Sequence, residues 1–121
     1  MTHKDLIVWK KSMHLVKLIY QQTKNFPKDE IYGLVSQMRR AAVSIPSNIA
    51  EGHGRCSYKE LVRFLFIALG SSSELETQLI IAYELEFIQE ANYMEVMNLN
   101  DEVRKMLVSL IKTKNNGQLI N

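Results

Sequence analysis

The sequence predicts an all-α protein: an up-down antiparallel four-helix bundle that assembles as a homo-oligomer. Three observations carry this. Apolar residues recur at spacings of three and four along four separate segments, as helices with one buried stripe require. Glycine (5) and proline (2) are scarce, too few turn-makers for a many-stranded sandwich. Hydrophobic residues at 46% against 23% charged are the balance of a globular chain, not a disordered one. At 121 residues the chain makes one domain, 1–121, with no room for separate catalytic and regulatory domains.

The first helix is predicted over about residues 4–24, with Leu6, Trp9, Met13, Val16 and Tyr20 on one stripe. Phe26-Pro27 stops it, because the residue before proline is pushed out of the α region. The second helix is predicted over about 29–53, where Asp29 and Glu30 suit the positive N-terminal end. Ile31, Leu34, Met38, Ala41 and Ile45 form its apolar stripe, and Gly33, Gln37, Arg40, Ser44, Ser47 and Glu51 repeat on roughly the opposite side. Pro46 lacks a backbone donor and crowds the carbonyl of Ala42, which predicts a kink or a restart. Gly52 and Gly54 are read as left-handed caps.

The third helix is predicted over about 57–88, opened by Ser57 with Glu60 completing a capping box. Tyr58, Leu61, Leu65, Ala68, Ser72, Leu75, Leu79 and Ala82 hold a heptad-like seam. Phe64, Phe66, Ile67 and Leu69 sit off that seam, so two turns are apolar nearly all round and a second side is expected to meet another subunit. The fourth helix is predicted over about 91–112, with Tyr93, Val96, Val103, Leu107 and Leu110 facing inward. The polar tail 113–121, containing Asn116-Gly117, is expected to fray.

The net charge is +2, yet residues 1–63 carry +6 and residues 64–121 carry −4. A chain polarised this way suits either a polyanion or contacts between subunits. Lys10-Lys11, Arg39-Arg40 and the four-residue series Arg55, Lys59, Arg63 are the basic clusters. The series reads equally as a row of phosphate contacts, each releasing counterions, or as a solvated face beside Glu60. Lys10, Lys11, Arg39, Arg55, Lys59 and Arg63 are therefore the candidate nucleic-acid contacts. Arg40, Ser44, Asn48, Glu51, Glu74 and Glu76 are the candidate polar network between the second and third helices. Within it Arg40 is expected to bond Glu74 or Glu76, within or between subunits, so that neither charge is buried alone.

Other chemistries lack their residues. Di-iron carboxylate bundles need Glu-x-x-His motifs, and no Glu here is followed three residues later by His; His3, His14 and His53 stand apart from any ligand set. One cysteine, Cys56, excludes an intrachain disulfide and a cysteine zinc cluster, and no partner base for it is recognisable. Glu51-Gly52-His53-Gly54-Arg55 lacks the lysine and the preceding strand of a phosphate loop. No catalytic residue, metal or cofactor is expected, so the protein reads as not an enzyme. The N-terminus offers four apolar residues before two lysines, unlike a signal peptide, and Phe64 to Leu69 is too short to cross a bilayer. A cytoplasmic protein without a membrane role is expected.

A joint pattern runs through Trp9, Ile19-Tyr20, Thr23, Phe26-Pro27 and Glu30-Ile31-Tyr32-Gly33-Leu34. It continues in Gln37-Met38-Arg39-Arg40-Ala41, Ser44-Ile45-Pro46-Ser47-Asn48-Ile49-Ala50-Glu51-Gly52 and Arg55. It ends in Glu60, Phe64-Leu65, Ile67-Ala68, Gly70-Ser71, Glu74, Glu76 and Gln78-Leu79. Over about residues 5–90 the chain resembles the bacterial 23S ribosomal RNA intervening-sequence proteins; the fourth helix and tail match only in character. The resemblance implies an all-helical bundle in a ring-like homopentamer, encoded within intervening sequences of bacterial 23S ribosomal RNA genes or elsewhere in bacterial genomes. It also implies an architecture similar to the accessory proteins of diversity-generating retroelements, pentameric barrels that bind nucleic acid and a reverse transcriptase. No catalytic residue comes with it. The expectation is a non-enzymatic, pentameric protein that contacts RNA or DNA electrostatically, without an aromatic stacking platform. The alternative is a protein–protein scaffold or an accessory subunit of a nucleic-acid enzyme such as a reverse transcriptase.

Overall fold

Breaks of four and five residues, 54–57 and 85–89, leave the chain no choice but to turn back on itself. The computed structural model describes residues 1–120, with side chains as far as residue 116. It contains four helices: α1 (Ile7–Thr23), α2 (Leu34–His53), α3 (Tyr58–Glu84) and α4 (Glu90–Ile120). Single 3-10 turns occupy His3–Asp5 and Lys28–Glu30, and no strand occurs among the described residues. α2 packs on α3, α3 on α4, and α1 against both α2 and α4. The helices thus stand in cyclic order, and α1 lies diagonally across the core from α3. The outer faces of those two helices point to opposite sides.

α1 starts later than expected because Thr2 and Asp5 cap the separate turn at His3–Asp5, after which Leu6 is extended. Its core face also differs from the expected stripe. Val8, Ser12, Leu15, Leu18, Ile19 and Thr23 are buried, whereas Leu6, Trp9, Met13 and Val16 are half-buried and Tyr20 is exposed. Ser12 Oγ donates to the Trp9 carbonyl (2.8 Å) and Thr23 Oγ1 to the Ile19 carbonyl (2.7 Å). With their hydroxyls satisfied on the helix's own backbone, both can face the core. A stripe drawn through apolar residues alone is displaced by one position.

α2 begins at Leu34, not near residue 29, and Glu30 serves its start from the preceding turn by accepting a bond from Leu34 N (3.2 Å). Leu34, Met38, Ala41 and Ile45 are buried as expected, and Ile31 is exposed. The helix runs through Pro46 as one element instead of restarting there. The two glycines are not left-handed caps: no described glycine has a positive φ, and Gly54 sits at φ −80°. Gly52 is instead a point of close approach. A Cβ there would lie 2.8 Å from Phe64 Cβ and 3.2 Å from the Leu61 carbonyl oxygen, so α2 and α3 touch where only hydrogen fits.

Ser57 caps α3 by accepting from Glu60 N (3.2 Å), but the reciprocal half of the expected capping box is missing because the Glu60 carboxylate is bonded to Arg63. The seam Leu65, Ala68, Ser72, Leu75, Leu79 and Ala82 is buried, with Tyr58 exposed and Leu61 half-buried. α3 ends at Glu84, short of the expected 88. Phe87 N donates to the Ala82 carbonyl (2.9 Å) and Glu86 N to that of Tyr83 (3.0 Å), while Glu86 takes φ 63°. This is a Schellman ending with glutamate in the place glycine usually fills, so no sequence mark announces it. By length and composition α3 is long and apolar enough to cross a membrane, contrary to the reading from Phe64–Leu69 alone.

In α4, Val96, Val103 and Leu107 are buried, with Tyr93 and Leu110 half-buried. Asn100 joins them by donating to the Ser72 carbonyl (3.1 Å) and accepting from Ser72 Oγ (2.8 Å). The helix runs on past the expected end at 112, and Asn121 of the tail lies outside the described residues. Ile111 is buried against the core and the Lys114 ammonium stands 5.5 Å over the Tyr58 ring, which prolongs the helix past its apolar pattern.

Candidate nucleic-acid interface

α1 contains no aspartate or glutamate. With Val8, Leu15 and Ile19 turned inward, Lys10, His14, Lys17, Gln21 and Lys24 recur at spacings of four and three on the outer face, and all are exposed. Lys10, Lys17 and Lys24 pair with no carboxylate among the described residues. The row spans about 21 Å at 1.5 Å per residue, comparable with the axial rise of about six phosphates of one strand. Of the two lysines singled out in sequence, Lys10 belongs to this row. Lys11 turns to α4 and pairs with Glu102 (2.6 Å). Lys17 and Lys24 have no charged neighbour to mark them as a cluster, although a helix with lysine at every seventh position is legible in the sequence.

Beside this row, α2 contributes Arg39 and Arg40. Arg39 Nε donates to Thr23 Oγ1 (3.0 Å), and its guanidinium lies 4.5 Å over the Tyr20 ring. Arg40 is exposed and makes no ion pair among the described residues, so its expected bond to Glu74 or Glu76 is absent within the chain. An arginine left in water carries no desolvation penalty and needs no partner. Tyr20, Tyr32, Arg39, Arg40 and Ser44 line an open cleft of about 550 Å³.

Of the expected polar network only Ser44 and Asn48 remain bonded, joined by Ser71 of α3. Ser71 Oγ donates to Ser44 Oγ (2.8 Å), and Asn48 Nδ2 donates to the Ser44 carbonyl (2.8 Å) and hydroxyl (2.9 Å). Glu51 leaves it to pair with Arg55 (2.9 Å), Glu74 is exposed, and Glu76 is half-buried without an ion pair among the described residues.

The Arg55, Lys59, Arg63 series is less basic than its spelling. Arg55 is held by Glu51, and Arg63 by Glu60 (3.2 Å), leaving Lys59 as the member without a carboxylate among the described residues. The bond from Arg63, and then its charge, holds the Glu60 carboxyl below the usual carboxylate range; the same pairing raises Arg63. Both guanidiniums also stack on Phe64, at 5.0 Å and 4.5 Å from the ring centre. Phe64 is thereby covered within its own chain.

Of the other expected interface residues, Leu69 packs against the core while Phe66 (53% exposed) and Ile67 (42%) remain open. They begin two lines on α3, Phe66–Ser73–Ile80 and Ile67–Glu74–Ile81, all exposed. Ile80 and Ile81 were not singled out in sequence. At the far end of the bundle a cavity of about 320 Å³ is lined by Ile49, Leu65, His53, Cys56 and Lys114 among others. No group of three or more metal-ligating side chains occurs among the described residues.

Fold and surface define a small four-helix-bundle protein that carries a basic row on one helix and two exposed apolar pairs, Phe66–Ile67 and Ile80–Ile81, on the diagonal one. The family model described as "23S rRNA-intervening sequence protein" matches residues 4–109, and the chain belongs to that family. It is similar to the crystal structure of a protein of unknown function from the S23 ribosomal protein family of Bacteroides thetaiotaomicron VPI-5482. The two are 28% identical with a TM-score of 0.80, over 88% of this chain and 99% of that one. Comparison with curated proteins gave no match.

Proposed function

We propose that the protein is a non-enzymatic, cytoplasmic, homo-oligomeric nucleic-acid-binding protein, a pentamer as the family resemblance implies, that contacts RNA or DNA electrostatically. The observation that carries this is the acid-free outer face of α1, with Lys10, Lys17 and Lys24 unpaired among the described residues. Such a row neutralises phosphates and releases their counterions whatever the base sequence. The exposed apolar pairs Phe66–Ile67 and Ile80–Ile81 on α3 support self-assembly, because clustered exposed apolar residues are characteristic of interaction sites. α1 and α3 are diagonal, so a subunit contact made by the α3 face does not cover that subunit's own lysine row, and repetition of the row around a ring would add avidity. The same α3 pairs favour the second reading, a scaffold or accessory subunit for a nucleic-acid enzyme such as a reverse transcriptase. Sedimentation of the protein with a labelled RNA hairpin and a DNA duplex tests the proposal. A multimer that carries nucleic acid at low salt and releases it as salt rises is the expected result; a clean monomer, or a multimer that carries neither, removes it.

A further inference from the structure

The lysine row is indifferent to whether the strand is paired, but the cleft beside it is not. Three features meet there. Tyr32 is 94% exposed at the turn before α2, with an aromatic face that nothing among the described residues covers. Arg39 is already fixed, with Nε on Thr23 and its guanidinium on Tyr20, so its other donors are presented at little further ordering cost. Arg40 stands in the same cleft with no carboxylate partner among the described residues. A cleft of about 550 Å³ that offers two guanidiniums beside the open Tyr32 ring is complementary in charge to phosphate and presents an aromatic face to a base. Bases inside a duplex have their faces stacked on each other and cannot use an aromatic platform, whereas unpaired bases can.

We infer that this cleft holds an unpaired nucleotide, its base stacked on Tyr32 and its phosphate on Arg39 and Arg40, so that the protein prefers single-stranded or looped nucleic acid over duplex. The inference rests on the nucleic-acid reading above and adds a site and a strand preference to it. Tyr32→Ala removes the platform and Tyr32→Phe keeps it. Arg40→Gln removes a phosphate contact without touching the packed face of α2.

The test is binding of a labelled single-stranded oligo(U) 20-mer and of a 20-base-pair duplex to the intact protein at one low salt concentration, with sedimentation of every variant alongside. Tyr32→Ala should weaken oligo(U) at least fivefold, within the range of one lost base stack, with the duplex changed less than twofold and Tyr32→Phe near wild type. Arg40→Gln should weaken both, oligo(U) the more. A 2-aminopurine within the single strand should be quenched by wild type and by Tyr32→Phe, and not by Tyr32→Ala. Equal effects on both ligands, or none, overturn the inference while leaving electrostatic binding intact. A shift of oligomeric state in Tyr32→Ala also overturns it, because the cleft is then a subunit contact. Failure of the wild type to bind either ligand removes the nucleic-acid reading and this inference together.

Discussion

Adding one methyl group at Gly52 probes the tightest contact between α2 and α3. The new Cβ would stand 2.8 Å from Phe64 Cβ and 3.2 Å from both Leu61 Cδ1 and the Leu61 carbonyl oxygen. Carbon pairs rest at about 3.5–4.0 Å, so the Phe64 contact alone demands an opening of about 0.7–1.2 Å. Phe64 Cβ is fixed to the α3 backbone and cannot swing away, so the helices must part. Overpacking costs about 1–3 kcal/mol; a clash that only a backbone shift relieves belongs to the upper part, about 2–3 kcal/mol, offset by about 1 kcal/mol because alanine favours a helix interior over glycine. Gly52→Ala should therefore destabilise by about 1–2 kcal/mol in urea unfolding followed by helical circular dichroism at fixed protein concentration. Gly54→Ala is the control: its Cβ would meet nothing closer than 3.6 Å at an ordinary φ, and its effect should stay within about 0.5 kcal/mol. A Gly52→Ala protein as stable as the control would refute the close-approach account.

The Ser72–Asn100 pair is buried, so Asn100→Ala should cost about 2–4 kcal/mol through a cavity and lost bonds. Ser72→Ala with Asn100→Leu should recover most of that loss in thermal unfolding, since both partners become apolar. Glu86 holds a left-handed φ of 63°, and Glu86→Gly should raise stability by about 1 kcal/mol, read as a higher melting temperature. Because Glu60 is held below its ordinary 4.5, the stability its pair with Arg63 contributes is present above that value and lost as pH falls through the lowered one. Glu60→Gln should flatten that acid limb of the stability–pH profile.

The elements readable from sequence were those whose burial is spelled in apolar residues. Leu65 to Ala82 in α3 and Val96 to Leu107 in α4 follow the three-and-four spacing and are buried as expected. Where hydrogen bonding hides polarity the pattern misleads, as with Ser12 and Thr23 on the core face of α1. The end of α3 was illegible because glutamate occupies the left-handed position, and the length of α4 because its last turns are held by Ile111 and Lys114 after the stripe thins. In the candidate site, charges were visible and their neutralisation only in part. The sequence leaves the Arg55, Lys59, Arg63 series equally a phosphate row or a solvated face beside Glu60, and the pairs with Glu51 and Glu60 one turn away match Arg55 and Arg63. Lys10, Lys17 and Lys24, scattered in the spelling, line up only when the helical repeat is applied to charge as well as to apolarity.

The salt dependence of RNA binding by wild type and by the triple variant Lys10→Ala, Lys17→Ala, Lys24→Ala tests the central claim most directly. Each phosphate neutralised on a single strand contributes about 0.7 to the slope of log affinity against log salt. The triple variant should lower that slope by about 2 for each subunit engaged, with helicity and assembly unchanged. Arg55→Ala, Lys59→Ala, Arg63→Ala together should lower it by less than 1, since only Lys59 lacks a carboxylate partner among the described residues. An unchanged slope in the α1 variant, or the larger drop in the α3-end variant, would contradict the assignment of the nucleic-acid face to α1.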